Sequence, residues 1–128
     1  MSKPTIYALG PDGTFSERAA QKVRQQLPLP WLIHCCPTLE STVVAAARHG
    51  DGMAVAPIEN SRTGTVTVVQ DAILSSDVRI IGEVSLTVRF NCVANASLAE
   101  VRRVFVHPVA EAQCRAFLGR LSSAEIVT

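Results

Sequence analysis

Three consecutive polar residues, Glu59, Asn60 and Ser61, are the side chains best suited to chemistry on a small polar ligand. They follow an apolar run that stops at Pro57, so we expect them where a buried strand leaves its sheet. A carboxylate, an amide and a hydroxyl in succession could orient a ligand by donating and accepting hydrogen bonds. The alternative is an Asx-type turn, in which Asn60 and Ser61 only satisfy their own backbone.

A second polar segment, residues 10–14 (Gly-Pro-Asp-Gly-Thr), follows an apolar run at residues 5–9. It predicts a tight turn into a helix, with Thr14 as the N-cap, Phe15 next, and Glu17 reaching back as in a capping box. Free amides at a helix N-terminus favour an anion, and the two glycines would let a ligand approach the backbone. An ordinary strand-to-helix turn with a capping threonine would have the same sequence.

The remaining candidates lie late in the chain. His107 follows a predicted strand and precedes Pro108, which suits the first turn of a helix that also carries Gln113. His107 could contact a ligand or only hydrogen-bond at the strand end, and Gln113 could face the same opening or solvent. The sequence has no P-loop, no Gly-x-Gly-x-x-Gly and no Ser-His-Asp or Cys-His arrangement, so nucleotide binding and triad chemistry lack support.

Composition narrows the class of protein. The 128 residues are 48% hydrophobic and carry a net charge of +1 without a basic cluster, which predicts one ordinary domain and disfavours nucleic acid as a partner. No apolar run approaches the roughly 18 residues of a membrane span, and the N-terminus lacks a secretory signal. The cysteines show no metal-ligand spacing, so we expect free thiols, no metal and a cytoplasmic location. They are Cys35, Cys36, Cys92 and Cys114.

The hydrophobic pattern alternates strands and helices along most of the chain. Strands are predicted at residues 5–9, 31–35, 52–56, 78–93 (one bent strand or two), 103–106 and 124–128. Helices are predicted at residues 15–27, 39–48 and 108–121, and also at 65–73, where β-branched residues leave a strand as the alternative.

This order predicts an α/β fold with mainly parallel sheets and helices on both faces. Ligands of such sheets bind beyond the carboxyl ends of the strands. The strands ending at Leu9 and Ala56 lead into the two polar segments. We therefore expect these segments to meet at one cleft.

Four segments in order resemble the prephenate dehydratase family. They are residues 10–20 (Gly-Pro-Asp-Gly-Thr-Phe-Ser-Glu-Arg-Ala-Ala), residues 57–66 (Pro-Ile-Glu-Asn-Ser-Arg-Thr-Gly-Thr-Val), residues 82–88 (Gly-Glu-Val-Ser-Leu-Thr-Val), and His107-Pro108 with Gln113-Cys114. The resemblance implies a two-lobed fold like type II periplasmic binding proteins. The first lobe would span residues 1–82, and residues 83–128 would form part of a second lobe.

The resemblance also implies a lyase of L-phenylalanine biosynthesis that converts prephenate to phenylpyruvate, water and CO₂ without metal or organic cofactor. Its motif positions assign catalytic roles to Asn60 and Gln113. They assign substrate contacts to Thr14, Phe15, Glu59, Ser61 and His107. Arg62 falls at a variable motif position, where it could be a carboxylate partner or a solvated side chain.

The chain departs from the family pattern at several positions. Val106 replaces a usual serine, Val109 a usual glutamine and Phe90 a usual histidine, and the family's Thr-Arg-Phe motif is absent. A piece of a longer enzyme, a short homologue with changed function, or a piece completed by another chain would each explain this. The rival functions are a non-catalytic binding module for an aromatic carboxylate and a prephenate decarboxylase. We also expect a homodimer, in which residues 124–128 could pair across chains.

Overall fold

A computed structural model of the chain describes residues 3–128. The strands are Thr5–Leu9 (β1), Leu32–Cys36 (β2), Gly52–Val55 (β3), Glu59–Asn60 (β4), Gly64–Thr65 (β5), Arg103–Phe105 (β6) and Glu125–Val127 (β7). The helices are Phe15–Gln25 (α1), Leu39–Arg48 (α2), Thr67–Ser75 (α3) and Pro108–Leu118 (α4), with a short 3₁₀ helix at Leu98–Glu100. No helix in the described part of the chain is both long and apolar enough to cross a bilayer.

The chain packs as two compact units, a larger one that ends at Thr87 and a smaller one, Val88–Thr128. The predicted lobes, residues 1–82 and 83–128, stay a prediction. Each unit is described below by itself.

The larger unit is built on a parallel sheet with the strand order β2-β1-β3. The central strand β1 buries Ile6 and Ala8 completely, and Ala20 of α1 packs against them. Both α1 and α2 contact β1. Helix α1 connects β1 to β2 and helix α2 connects β2 to β3, so the two connections run in opposite directions across the sheet. Because such β-α-β connections are almost always right-handed, α1 and α2 cover opposite faces.

A second cluster joins α2 to α3. Val43 of α2 is buried against Val69 and Ala72 of α3, and Val66 and Ile73 pack against the same cluster. The sequence predicts a helix at residues 65–73 with Val66, Val69 and Ile73 on its apolar face. The helix α3, at Thr67–Ser75, confirms both the helix and this face. The β-branched residues adopt a helix here because their 3.6-residue spacing buries one face against α2.

The smaller unit is one β-α-β unit, in which β6 and β7 pair in parallel and α4 connects them. Pro108 begins α4, as predicted, and His107 caps this helix. Leu121, just beyond the helix, is buried. The helical periodicity of residues 108–121 predicts that Ala112 and Ala116 are buried, and this prediction was wrong, since both are exposed.

The strand predicted at residues 78–93 is not formed. Val84, Leu86 and Val88 are half-buried and alternate with exposed residues, which is the pattern of a strand with one covered face. A strand also needs a neighbour to complete its hydrogen-bond ladder, and no described segment pairs with this one. Ile80 and Ile81 consequently remain 69% and 76% exposed.

Candidate functional site

The two polar segments begin at the same edge of the larger sheet. Strands β1 and β3 are parallel neighbours, with Ala8 opposite Val55 in the register. Their carboxyl ends therefore lie side by side, and the turn after Leu9 starts next to the segment after Val55. Both segments therefore leave the sheet at the same edge. That they meet at one cleft stays a prediction.

The turn at residues 10–14 requires glycine at two positions. A Cβ on Gly10 would lie 2.8 Å from the Cβ of Cys35, and the Gly10 amide donates to the Cys36 carbonyl at 2.9 Å. Gly13 has a φ of +87°, a conformation that side chains with a Cβ rarely adopt. Gly10 therefore serves the packing of the turn on β2, and Gly13 serves the backbone conformation of the turn.

Thr14 ties the end of β1 to the start of α1. Its Oγ1 accepts from the Glu17 amide at 3.2 Å and donates to the Leu9 carbonyl at 2.9 Å. The predicted N-cap is confirmed. A threonine hydroxyl has one donor, and here the donor is engaged, so Thr14 retains only acceptor capacity for a ligand.

Glu17 does not close the capping box as predicted. Its Oε2 accepts from the amide of Gly13, at 2.6 Å, and its Oε1 accepts from the side-chain amide of Gln21, also at 2.6 Å. The amide of Arg18 donates to the Thr14 carbonyl. Protein groups therefore occupy the amides of Gly13, Glu17 and Arg18, so the turn has fewer amides available to an anion than its sequence indicates.

The thiol of Cys35 on β2 contacts the turn at residues 10–14. The Sγ of Cys35 donates to Oδ1 of Asp12 at 3.3 Å. Burial raises the pKa of the Cys35 thiol above its ordinary value, and the hydrogen bond and negative charge of Asp12 raise it further. Sequence reasoning missed this contact, because Asp12 and Cys35 come together only when β1 and β2 pair in parallel.

Phe15 is half-buried at the first position of α1. The guanidinium carbon of Arg18 lies 5.7 Å from the centre of its ring, which is within cation–π distance. A cation therefore lies at the edge of the sheet where both polar segments begin.

The segment after β3 folds into a small hairpin. Strands β4 and β5 are antiparallel, with Glu59 opposite Thr65 and Asn60 opposite Gly64. The Oδ1 of Asn60 accepts from the amides of Arg62 and Thr63, at 2.9 and 3.3 Å. This is the Asx-type turn that the sequence left open as the alternative.

The hairpin nevertheless keeps polar groups available. Within residues 3–128, the side-chain nitrogen of Asn60 has no hydrogen-bond partner, so its two N–H donors can serve a ligand. Glu59 and Ser61 are exposed. The carbonyl oxygen of Asn60 is used by the fold, and its amide donors are not.

The other two predicted site residues belong to the smaller unit. Nδ1 of His107 accepts from the Val109 amide at 3.2 Å, so this ring caps α4 and leaves only Nε2 for a ligand. Gln113 is half-buried on the same helix.

In this unit an open depression of 330 Å³ is lined by Leu98, Ala99, Val101, Arg120, Leu121 and Ser123. None of the predicted site residues lines it.

No group of three or more His, Cys, Asp or Glu among residues 3–128 is arranged to hold a metal ion. At the edge described above, Asp12, Glu17 and Glu59 bring negative charge, and Arg18 and Arg62 bring positive charge. Hydrogen bonds occupy the carboxylates of Asp12 and Glu17. Among the available groups, the guanidinium groups of Arg18 and Arg62 can pair with a small anion, and the carboxylate of Glu59 repels one.

Comparison with known proteins then decides the family. The family model described as prephenate dehydratase matches residues 6–128. The chain belongs to the prephenate dehydratase family. The family membership and the α/β fold expected from the sequence are thereby confirmed.

Individual relatives show how much of the family's length is present. A prephenate dehydratase of Methanocaldococcus jannaschii is 34% identical over 119 residues, which are 92% of this chain and 42% of that protein. A bifunctional chorismate mutase/prephenate dehydratase of Neisseria gonorrhoeae is 35% identical over 94% of this chain and 33% of its own. The crystal structure of a prephenate dehydratase from Staphylococcus aureus superposes with a TM-score of 0.76 at 26% identity, covering 95% of this chain and 46% of that one. The chain spans less than half the length of each.

Proposed function

We propose that this chain takes part in prephenate dehydration, the lyase step of L-phenylalanine biosynthesis that yields phenylpyruvate, water and CO₂. The observation that carries the proposal is the family match over residues 6–128. The placement of both family motifs at one edge of a parallel sheet supports it, because ligands of such sheets bind there.

The reaction mainly requires the protein to orient the leaving groups of the substrate and to stabilise the charge that develops on them. The bond between the ring carbon and the carboxylate breaks, its electron pair enters the ring, and the ring hydroxyl leaves with the electrons of its C–O bond. A proton converts the departing hydroxide to water. Donors aimed at the leaving oxygen stabilise its developing charge, and a drier pocket favours the loss of CO₂.

Asn60 supplies such donors in our proposal. Its side-chain nitrogen is free while its oxygen is fixed by the turn, so the amide is held in one orientation. We assign the second orienting amide to Gln113. Thr14, Phe15, Glu59, Ser61 and His107 are the proposed substrate contacts.

The test is calorimetry with prephenate followed by an assay for phenylpyruvate, both on the chain of 128 residues. We expect saturable binding and slow turnover, because the sequence contains no Thr-Arg-Phe segment. An absence of prephenate binding would overturn the proposal. Rapid formation of phenylpyruvate would contradict only the expectation of slow turnover.

A non-catalytic binding module is the second candidate. The observation that favours it is that the hydroxyl proton of Thr14 is engaged by the Leu9 carbonyl, so this hydroxyl is not available to protonate a leaving group. Tight binding of prephenate or phenylalanine with zero turnover at the native oligomeric state would select this function.

We also propose that two copies of the chain associate in the cytoplasm. Leu74 on α3 is 85% exposed, and residues 78–93 carry further exposed apolar side chains on a segment without a ladder partner among the described residues. Exposed apolar surface of this kind marks association sites. All four cysteines are free, which fits a reducing compartment. Light scattering across a dilution series tests the dimer, and a strictly monomeric, folded protein would rule it out.

A further inference from the structure

Glu17 joins the glycine turn to helix α1 through three hydrogen bonds, two of them to its carboxylate. Its Oε2 accepts from the backbone amide of Gly13 at 2.6 Å, and its Oε1 accepts from Nε2 of Gln21 at the same distance. Its own amide donates to Oγ1 of Thr14. We call the contact of Glu17 with Gly13 and Gln21 the carboxylate clasp.

Three physical features favour the clasp. A carboxylate makes a stronger hydrogen bond to an amide than a neutral acceptor does. The positive end of the α1 dipole stabilises a negative charge in the first turn. Gln21 lies four residues after Glu17 on the same helix, so its side chain reaches the carboxylate without strain.

The clasp holds a backbone conformation that few residues adopt. Gly13 has a φ of +87°, and no side chain of its own restrains it. A glycine in a turn has many alternative conformations, and ordering it costs conformational entropy. The hydrogen bond from its amide to Glu17 selects one of these conformations before a ligand arrives.

We propose that Glu17 is a positioning residue, which fixes the backbone of residues 10–14 so that it faces the ligand in one shape. This inference rests on the proposed function, since that turn is part of the proposed prephenate site. It also changes the role of the turn. The Gly13 amide is already paired with a carboxylate, so the substrate meets a preformed wall and does not receive its hydrogen bond from this amide.

The test compares Glu17→Ala and Glu17→Gln with the control Glu40→Ala. Glu40 also lies in the first turn of a helix, α2, so its removal takes away the same kind of helix-dipole interaction. It is exposed and makes no hydrogen bond within the part of the chain that the structure describes. The readouts are hydrogen exchange of the Gly13 amide by NMR, prephenate affinity by calorimetry, and thermal stability.

We expect Glu17→Ala to speed exchange of the Gly13 amide and to weaken prephenate binding, each by roughly tenfold, the effect of losing a hydrogen bond to a charged group. Glu17→Gln retains an acceptor for the Gly13 amide, so it should restore part of the exchange protection of Gly13 and part of the prephenate affinity. Glu40→Ala should leave both unchanged. Should Glu17→Ala fail to fold, Gln21→Ala loosens the clasp from its other side and is expected to give a smaller effect of the same kind.

Unchanged exchange of Gly13 in Glu17→Ala would overturn the clasp itself. Equal loss of affinity in Glu17→Ala and Glu40→Ala would reduce Glu17 to a helix-dipole role and overturn the positioning role. Absence of prephenate binding by the unsubstituted chain would overturn the proposed function and the ligand role of Glu17 together.

Discussion

At the scale of single residues, the polar side chains at the sheet edge already make hydrogen bonds to the backbone, which leaves fewer of their polar atoms for a ligand. Thr14 uses its hydroxyl proton on the Leu9 carbonyl, and Asn60 uses its carbonyl oxygen on the turn that follows it. What remains is a restricted set of groups, led by the two N–H donors of Asn60. The fold therefore determines which polar atoms of each side chain remain free to contact a ligand.

The donors of Asn60 can be tested apart from its turn. Asn60→Asp keeps an oxygen for the amides of Arg62 and Thr63 but removes both N–H donors and adds a negative charge. We expect the thermal midpoint to stay close to that of the parent, while prephenate affinity falls more than roughly tenfold. The exposed Thr63→Ala is the control. Undiminished binding by Asn60→Asp would exclude a donor role.

Cys35 gives a prediction about reactivity and pH. Because burial and Asp12 raise the pKa of its thiol, Cys35 should alkylate more slowly than the exposed Cys92 at pH 8, and Asp12→Ala should speed its alkylation. Peptide mass spectrometry measures both thiols in one sample, so Cys92 is the internal control. An alkylation rate of Cys35 equal to that of Cys92 in the parent chain would contradict the assignment.

The same shift of pKa affects stability. The folded state favours the neutral thiol of Cys35. The contribution of this thiol to the free energy of unfolding is therefore complete below the ordinary thiol pKa of about 8.5, and it is lost as pH rises through the higher pKa of the folded state. The free energy of unfolding should therefore decline above about pH 8.5.

At the scale of elements, two threonines cap helices in different ways. Thr14 and Thr38 both accept an amide of the first turn, but Thr14 also donates to the Leu9 carbonyl at the end of β1. Thr38→Ala should cost about 1 kcal/mol of unfolding free energy, the usual value of an N-cap. Thr14→Ala should cost about 1 kcal/mol more, because it also removes this hydrogen bond. Urea denaturation measures the difference, and equal losses would show that the tie to β1 contributes nothing.

Elements whose partners are local in sequence could be predicted, and those whose partners are distant could not. The strand at residues 5–9 matches its prediction, as does the helix at 39–48 after Thr38, since turn residues and caps mark their ends. Residues 78–93 have strand composition but no described neighbour, and composition cannot reveal a missing neighbour. The contact of Cys35 with Asp12 and the hairpin at Asn60 needed the strand register, which periodicity does not specify.

At the scale of the whole molecule, the chain exposes apolar side chains and spans less than half the length of its relatives. The matched part covers 42% of the archaeal relative and 46% of the solved structure, so each of those proteins has further chain beyond the matched part. In this structure Leu74, Ile80 and Ile81 are exposed. Since apolar area leaves water when another surface covers it, association of two copies would stabilise the chain.

Leu74 allows association to be tested without disturbing the fold. Its side chain is 85% exposed on α3, so Leu74→Glu should leave the monomer's thermal stability unchanged. If Leu74 lies in the proposed dimer interface, the substitution should raise the dissociation constant by roughly tenfold, as expected for losing one buried leucine contact. Gln25→Glu adds the same charge at an exposed position of another helix, α1, and should not change association. Sedimentation velocity over a dilution series measures both. Equal dissociation constants for the parent and Leu74→Glu would place the interface elsewhere, because a surface that excludes water around Leu74 cannot accept a carboxylate without cost.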